Sequence, residues 1–208
     1  MANAAQVIAI LENMAKVIEE NKDFLTELDM PIGDSDHGIN MNRGFQAVLT
    51  KLPTVADKDI GTILKTVGMA LVSTVGGASG PLYGTAFMKA AMVGNKKMEV
   101  TPEDFFQMLK AAIDGVMMRG RSTVGEATML DAMVPAYEAM TAAYAQTPDV
   151  AAALAAGLKA AQDGVEKTKG MIATKGRASY LGERGIGHQD PGATSFTLLL
   201  GVIAQAVA

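Results

Sequence analysis

Cysteine and tryptophan are absent from the 208 residues, and six Phe and four Tyr make aromatics only 5%. Without cysteine there is no disulfide framework and no thiol chemistry. With 49% hydrophobic residues and so few rings, the core has to be built from Ala, Leu, Val, Ile and Met, a set that packs well between helices. No excess of basic charge exists: 18 Lys and Arg face 22 Asp and Glu, for a net charge of -4. A nucleic-acid partner, held mainly by clustered Lys and Arg, is therefore not expected. Nor is there an uninterrupted run of the roughly 18 apolar residues that a membrane span needs. Met1 to Gln6 shows no basic region followed by an apolar stretch. The expectation is a cytoplasmic protein with no membrane partner. Low-complexity tracts, internal repeats and linkers are also missing, so residues 1–208 are expected to form a single domain, long enough to bury a core of its own.

What is present is a spacing of three and four between apolar residues. Val7, Leu11, Met14 and Ile18 form one such face. Met41, Phe45 and Val48 form another, and Ile60, Leu64, Val67 and Leu71 a third. Phe106, Leu109, Ile113 and Val116 follow, then Phe196, Leu200, Ile203 and Val207, with Ala-rich helical stretches after Thr128 and Pro148. Thr101 before Pro102, Glu103 and Asp104 is a helix start: a capping hydroxyl, a proline in the first turn, and acids at the positive end of the dipole. The count is about eight helices, and the fold class is all-α. The short breaks at Pro31–Gly33, Leu52–Thr54, Gly76–Gly80, Val93–Asn95, Gly120–Gly125 and Gln146–Pro148 favour antiparallel neighbours. Gly170 to Gln189 is too long and Gly-rich for a mere connector and is expected to lie over a site.

Three segments carry chemistry. Asp29, Asp34 and Asp36 place three carboxylates within eight residues, just before a helix. Like charges that close repel one another unless a cation sits between them, and oxygen ligands suit a hard ion such as Mg²⁺ or Ca²⁺. An EF-hand calcium loop is excluded: Gly38 is fifth from Asp34 instead of sixth, and the later Glu is missing. The competing structural reading is a solvated turn in which Asp36 caps the next helix.

Gly76-Gly77-Ala78-Ser79-Gly80 precedes a predicted helix and offers free N–H groups to an anion. It lacks the Gly-Lys-Ser/Thr ending of a Walker A loop, and no strand precedes it to make a dinucleotide fingerprint. A tight helix-helix turn is the alternative. The third segment, Lys175 to Ala193, contains Arg177, whose guanidinium suits phosphate, and ends in Asp190-Pro191-Gly192, with Asp190 a cap and Pro191 at the first helical position. A solvated loop explains Lys175 and Arg184 better than it explains Arg177. The two histidines, His37 and His188, have no nucleophile paired with them in sequence, so a Ser/His hydrolase gains little support.

Taken together, Gly33-Asp34-Ser35-Asp36-His37-Gly38-Ile39-Asn40-Met41-Asn42-Arg43-Gly44, the Gly76–Gly84 run, Lys175 to Arg184, and His188 to Ala193 resemble the L subunit of bacterial dihydroxyacetone kinase over nearly the whole chain. The resemblance implies a closed barrel of eight antiparallel helices with a nucleotide at one end. It implies that Asp29, Asp34 and Asp36 ligate two Mg²⁺ ions gripping the phosphates of ADP or ATP. His37, Gly38, Ile39 and Asn40 would line the phosphate end, with Ala78 and Ser79 adding contacts. Gly120, Thr128 and Met129 would lie on the adenine side. Arg177, the one catalytic candidate, and Asp190, Pro191 and Gly192 would close over the nucleotide. One departure stands out: where the family often reads Gly-Asp-Lys-Thr-Met-Leu-Asp, this chain has Gly125-Glu126-Ala127-Thr128-Met129-Leu130-Asp131, so any lysine role at Ala127 is absent.

The family includes a fused, ATP-using enzyme and a split one fed by the phosphotransferase system. Met1 lies at the first helix and Ala208 at the end of the last, leaving no room for a dihydroxyacetone-binding domain, so the split form is expected. The resemblance then implies ADP and ATP as a bound coenzyme, charged by a phosphohistidine-bearing M subunit and spent on dihydroxyacetone held by a K subunit. The rivals are an ATP-exchanging kinase subunit and a non-catalytic nucleotide-sensing module.

Overall fold

The computed structural model describes residues 1–207. Nine α-helices account for most of them: α1 (Ala4–Glu20), α2 (Lys22–Asp29), α3 (His37–Lys51), α4 (Ile60–Thr74), α5 (Ser79–Val93), α6 (Pro102–Gly120), α7 (Leu130–Gln146), α8 (Val150–Thr168) and α9 (Pro191–Gln205). Each long helix of the sequence reading is present, and every expected break falls at a junction between two of them, although Ser79 and Gly80 of the Gly76–Gly80 run already open α5. The addition is α2, only eight residues long, which has too few turns to display a period. Asn21 separates it from α1, where the asparagine side chain and N–H both bond Val17 O. Val207 falls outside α9 and is exposed, so the last apolar face stops short of it.

The eight long helices pack in a ring. α3 contacts α4, each helix through α8 contacts the next, α8 contacts α9, and α1 closes the circle against α9 and α3. Short connections make successive helices antiparallel. The short α2 lies against α3 and α9. Buried Leu11, Ile18, Met41, Phe45, Ile63, Leu71, Leu130, Met140 and Leu154 belong to one continuous core. Close approach of α7 and α8 depends on Gly164, where a Cβ would run into the backbone of Asp131 and Ala132. The ring is not solid: an apolar cavity of about 550 Å³ remains, bounded by Leu11, Met14, Leu64, Phe87, Leu109 and Leu200 among others. The only strand pairing among the described residues joins Ala2–Asn3 to Glu99–Val100, tying the start of the chain to the α5–α6 connection. No described helix is long and apolar enough to cross a membrane.

The two ends of the ring differ. At one end start α1, α4, α6 and α8, and each has a side-chain cap: Asn3 to Gln6 N, Asp59 to Thr62 N, Thr101 to Asp104 N and Asp149 to Ala152 N. At the other start α3, α5, α7 and α9, and only α9 is capped by its own N-cap residue, Asp190; Asp29 takes just the first N–H of α3 and Thr128 just the first of α7. First-turn N–H groups without a side-chain cap are a ready site for an anion.

Candidate functional site

The uncapped end carries the acidic cluster. Asp29 ends α2, and the chain then folds around its carboxylate, whose Oδ2 accepts from the N–H of Asp36 at 3.0 Å and of His37 at 3.3 Å. Its carbonyl accepts from Ile32 and Gly33, and a Cβ at Gly33 would land on the Asp29 carboxylate, so only glycine fits there. Ser35 completes the reversal at φ 60°. As a result Asp29, Asp34 and Asp36 each offer a carboxylate oxygen within 4.8 Å of the others. Asp29 is buried, Asp36 half-buried and Asp34 exposed. Asp36 occupies the N-cap position of α3 yet makes no capping hydrogen bond, so the reading of this acid as a cap does not hold. Three oxygen donors with no sulfur or imidazole among them fit a hard divalent ion, which also relieves their mutual repulsion.

His37 opens α3 and is buried, with Nδ1 3.1 Å from Ser79 Oγ and Nε2 3.0 Å from Ser195 Oγ. Burial pushes its pKa below the usual imidazole value, against the opposing pull of Asp29 and Asp36. Buried Gly38, exposed Ile39 and buried Asn40 follow in the first turn. Asn40 Oδ1 accepts from Arg43 Nη2 at 2.6 Å, while Arg43 Nε donates to Thr74 O at 2.8 Å, which fixes the amide and ties α3 to the end of α4. Ala78 and Ser79 lie at the uncapped start of α5, beside this turn.

The segment before α9 lies across the same end. It forms two short 3₁₀ turns, Arg177–Tyr180 and Gly182–Gly185. Arg177 Nε reaches Asp34 Oδ2 at 2.6 Å. Thr174 donates its N–H to the Glu126 carbonyl and its hydroxyl to the Glu126 carboxylate, and Lys175 lies 3.5 Å from that carboxylate. The Thr174 hydroxyl, the Thr123 N–H and Lys175 hold the Glu126 carboxyl below the usual range. Glu126 thus anchors the long loop to the α6–α7 turn, next to Ala127, which sits at φ 54°. Beneath the loop a cavity of about 10 Å³ remains between Ile32, Ala127, Thr168, Met171, His188 and Asp190, room for about one water. A larger guest there has to lift the loop.

On the far side of that cavity, buried Asp131 accepts from Gly125 N at 2.5 Å and Thr128 N at 2.8 Å, and so shapes the turn presenting Thr128 and Met129. Met129 is buried beside Gly192, and half-buried Gly120 ends α6. Asp190 caps α9 through Ala193 N at 2.7 Å, with Pro191 at the first helical position as the sequence led us to expect. Burial raises the Asp190 carboxyl to about 7, with Asp131 and Asp29 adding repulsion and backbone N–H groups opposing.

The expected residues therefore gather at one end from four connections distant in sequence. Lys175 pairs with Glu126 and Arg184 with the carbonyl of Leu181, so neither faces the cluster. Sequence reasoning missed Arg43, Glu126, Tyr83 and Ser195. For Ser195 a signal existed: a serine in the otherwise apolar run of the last helix. Glu126 had none, since Thr174, the loop residue it anchors, lies 48 residues away.

Comparison with known proteins fits this geometry. The DAK2 domain family matches residues 31–205. The ADP-binding subunit of a PEP-dependent dihydroxyacetone kinase from Escherichia coli is 47% identical over 201 residues, covering 97% of this chain and 96% of that one. The ADP-binding subunit of a PTS-dependent dihydroxyacetone kinase from Lactococcus lactis is 40% identical over 195 residues, covering 92% and 91%. Among solved structures, the native dihydroxyacetone kinase of C. freundii superposes with a TM-score of 0.75 at 25% identity, over 99% of this chain and 35% of that one.

Proposed function

The chain belongs to the DAK2 domain family, and on that premise we propose that it is the nucleotide-carrying subunit of a split dihydroxyacetone kinase of the cytoplasm. In this reading ADP stays bound to a single domain and receives a phosphoryl group from a phosphohistidine on an M subunit. The ATP so formed passes its γ-phosphoryl to a hydroxyl of dihydroxyacetone on a K subunit, regenerating ADP. Relatives of matching length carry the names of ADP-binding subunits, which supports the division of labour. The observation that carries the reading is local: three carboxylates within 4.8 Å stand beside the uncapped starts of α3 and α5.

Asp29, Asp34 and Asp36 would hold two Mg²⁺ ions, which neutralise phosphate charge when bound. The protein's own groups do the rest. The N–H groups of Gly38, Ile39 and Ser79, at helix starts, donate to phosphate oxygens, and Asn40, whose own N–H is taken by the carbonyl of Asp36, lines the phosphate end with its side chain. Arg177, already at the cluster, sets a bidentate donor over the group in transfer, where charge redistribution makes it count most. Ala78 borders the phosphates, Gly120, Thr128 and Met129 border the base, and the Asp190-Pro191-Gly192 turn closes with the long loop over the nucleotide. The acceptor hydroxyl belongs to dihydroxyacetone on another subunit, so no general base is assigned here. Mass spectrometry of nucleotide released from the purified, desalted chain tests the reading. ADP or ATP near one equivalent is expected, and a chain that arrives empty and also binds no ADP with Mg²⁺ overturns it.

A further inference from the structure

Behind the phosphate end runs a chain of polar groups with only one open end. Tyr83 Oη lies 2.7 Å from Ser195 Oγ, Ser195 Oγ 3.0 Å from His37 Nε2, and His37 Nδ1 3.1 Å from Ser79 Oγ. Tyr83, Ser195 and His37 are buried, whereas Ser79 is half-buried at the start of α5. Ser79 and Tyr83 sit four residues apart on one face of α5, His37 opens α3, and Ser195 lies in the first turns of α9. Three helix starts are thereby joined through side chains.

We propose that Tyr83 and Ser195 are positioning residues for the nucleotide site: they fix His37 as the Nδ1–H tautomer, so that the Ser79 hydroxyl is left free to donate to a phosphate oxygen. The inference rests on the nucleotide reading above and adds residues to it. Proton counting carries the step. With one hydrogen on each of the three hydroxyls and one on the ring, four in all serve three links, a count that a doubly protonated ring in the NMR experiment below overturns. If every link runs from Tyr83 outward, the fourth hydrogen emerges on Ser79 Oγ.

Two other arrangements are open to the buried groups. With every link reversed, the spare hydrogen falls to Tyr83 and the carbonyl of Gly192 at 3.4 Å, long for an O–H donor. In the second, Ser195 donates to Gly192 O at 3.0 Å while Ser79 gives its hydrogen to Nδ1. Both leave Ser79 presenting only lone pairs at a helix start, where an anion is repelled by them. A phenol is also a stronger donor than an alkyl hydroxyl, and burial keeps that of Tyr83 protonated, so the 2.7 Å bond runs from Tyr83 to Ser195. The outward polarity is the one that serves a bound phosphate. Neither Tyr83 nor Ser195 touches the ligand.

Nitrogen-15 NMR of the chain loaded with ADP and Mg²⁺ reads the polarity directly. His37 is one of only two histidines, and a His188→Gln variant assigns it. The expected spectrum has a protonated Nδ1 and an unprotonated, hydrogen-bonded Nε2. Ser195→Ala should move the hydrogen to Nε2 and weaken ADP binding about tenfold, the effect of one hydrogen bond to a charged group. Tyr83→Phe should shift both readouts the same way by less, and serves if Ser195→Ala fails to fold. In the double variant Ser79→Ala/Ser195→Ala, ADP should bind no more weakly than in Ser79→Ala alone, because Ser195 acts only through Ser79. An Nε2–H ring in the loaded wild type, or losses that simply add in the double variant, overturns the proposal. A wild-type chain that binds no ADP overturns the nucleotide reading and takes this one with it.

Discussion

Arg177 Nε stands 2.6 Å from Oδ2 of Asp34, joining the loop before α9 to the carboxylate cluster after α2. Both side chains are partly open to water, so the pair adds little to stability, on the order of 0–1 kcal/mol. Its consequence is placement: a guanidinium waits at the cluster before any phosphate arrives.

Arg177 should therefore matter more for transfer than for binding. Arg177→Lys retains a charge but loses the planar fork, and is expected to lower phosphoryl transfer by about tenfold or more while ADP affinity changes by only about threefold. Transfer assayed with both partner subunits, beside calorimetry with ADP and Mg²⁺, separates the two. Equal losses in both would sink the assignment.

The carboxylates should behave in the opposite way. Asp34→Asn or Asp36→Asn withdraws an ionic ligand, so ADP retention through desalting is expected to vanish while helical circular dichroism stays the same. Unchanged ADP affinity in both variants would remove the metal site.

Gly33 offers a backbone test of the same cluster. In Gly33→Ala the new methyl overlaps the Asp29 carboxylate. The loop must shift, at a cost of roughly 1–3 kcal/mol in urea unfolding, and ADP retention should be lost with it. Retention of ADP by this variant would show that the loop geometry is not what binds.

Asp190 ties stability to pH. Its folded pKa, about 7, lies above the ordinary 3.8, so the folded state holds the proton more tightly than the unfolded one. Stability from this group is fully present below pH 3.8 and is lost as pH rises through about 7. Asparagine at this position still accepts the Ala193 N–H but carries no charge. Ligand-free Asp190→Asn should exceed the wild type at pH 8 by roughly 1–3 kcal/mol, a gap that narrows steadily towards pH 4. A gap that widens on acidification would contradict the sign.

Escape of the nucleotide should be slow. The loop anchored by Arg177 and by Glu126 must lift, and departure leaves three clustered carboxylates facing one another. Labelled ADP loaded beforehand should remain on the chain over many rounds of dihydroxyacetone phosphorylation, despite excess unlabelled ADP. Washout within one round would favour an ATP-exchanging kinase.

Much of the site was legible because its chemistry is contiguous. Asp29, Asp34 and Asp36 lie within one turn of chain, and Asp190-Pro191 is a cap-and-start signal read from two adjacent residues. Asp36 misled as a cap because the turn around Asp29 draws its N–H, and not its carboxylate, into the local hydrogen bonding. The short α2 was invisible for want of turns, and the Ala2–Asn3 ladder for want of length.

The amino-acid sequence by itself determined the helices, their breaks, the apolar faces and the acid-rich turn, since all of these depend on residues a few positions apart. Closure of the ring was decided by tertiary structure, because α1 and α9 meet only after the chain has run its whole length. So were the contrast between capped and uncapped ends, the pairing of Arg177 with Asp34, and the line from Tyr83 through Ser195 to His37. Those partners lie more than 100 residues apart, and no local period or propensity encodes a hydrogen bond between groups that only packing brings within 3 Å.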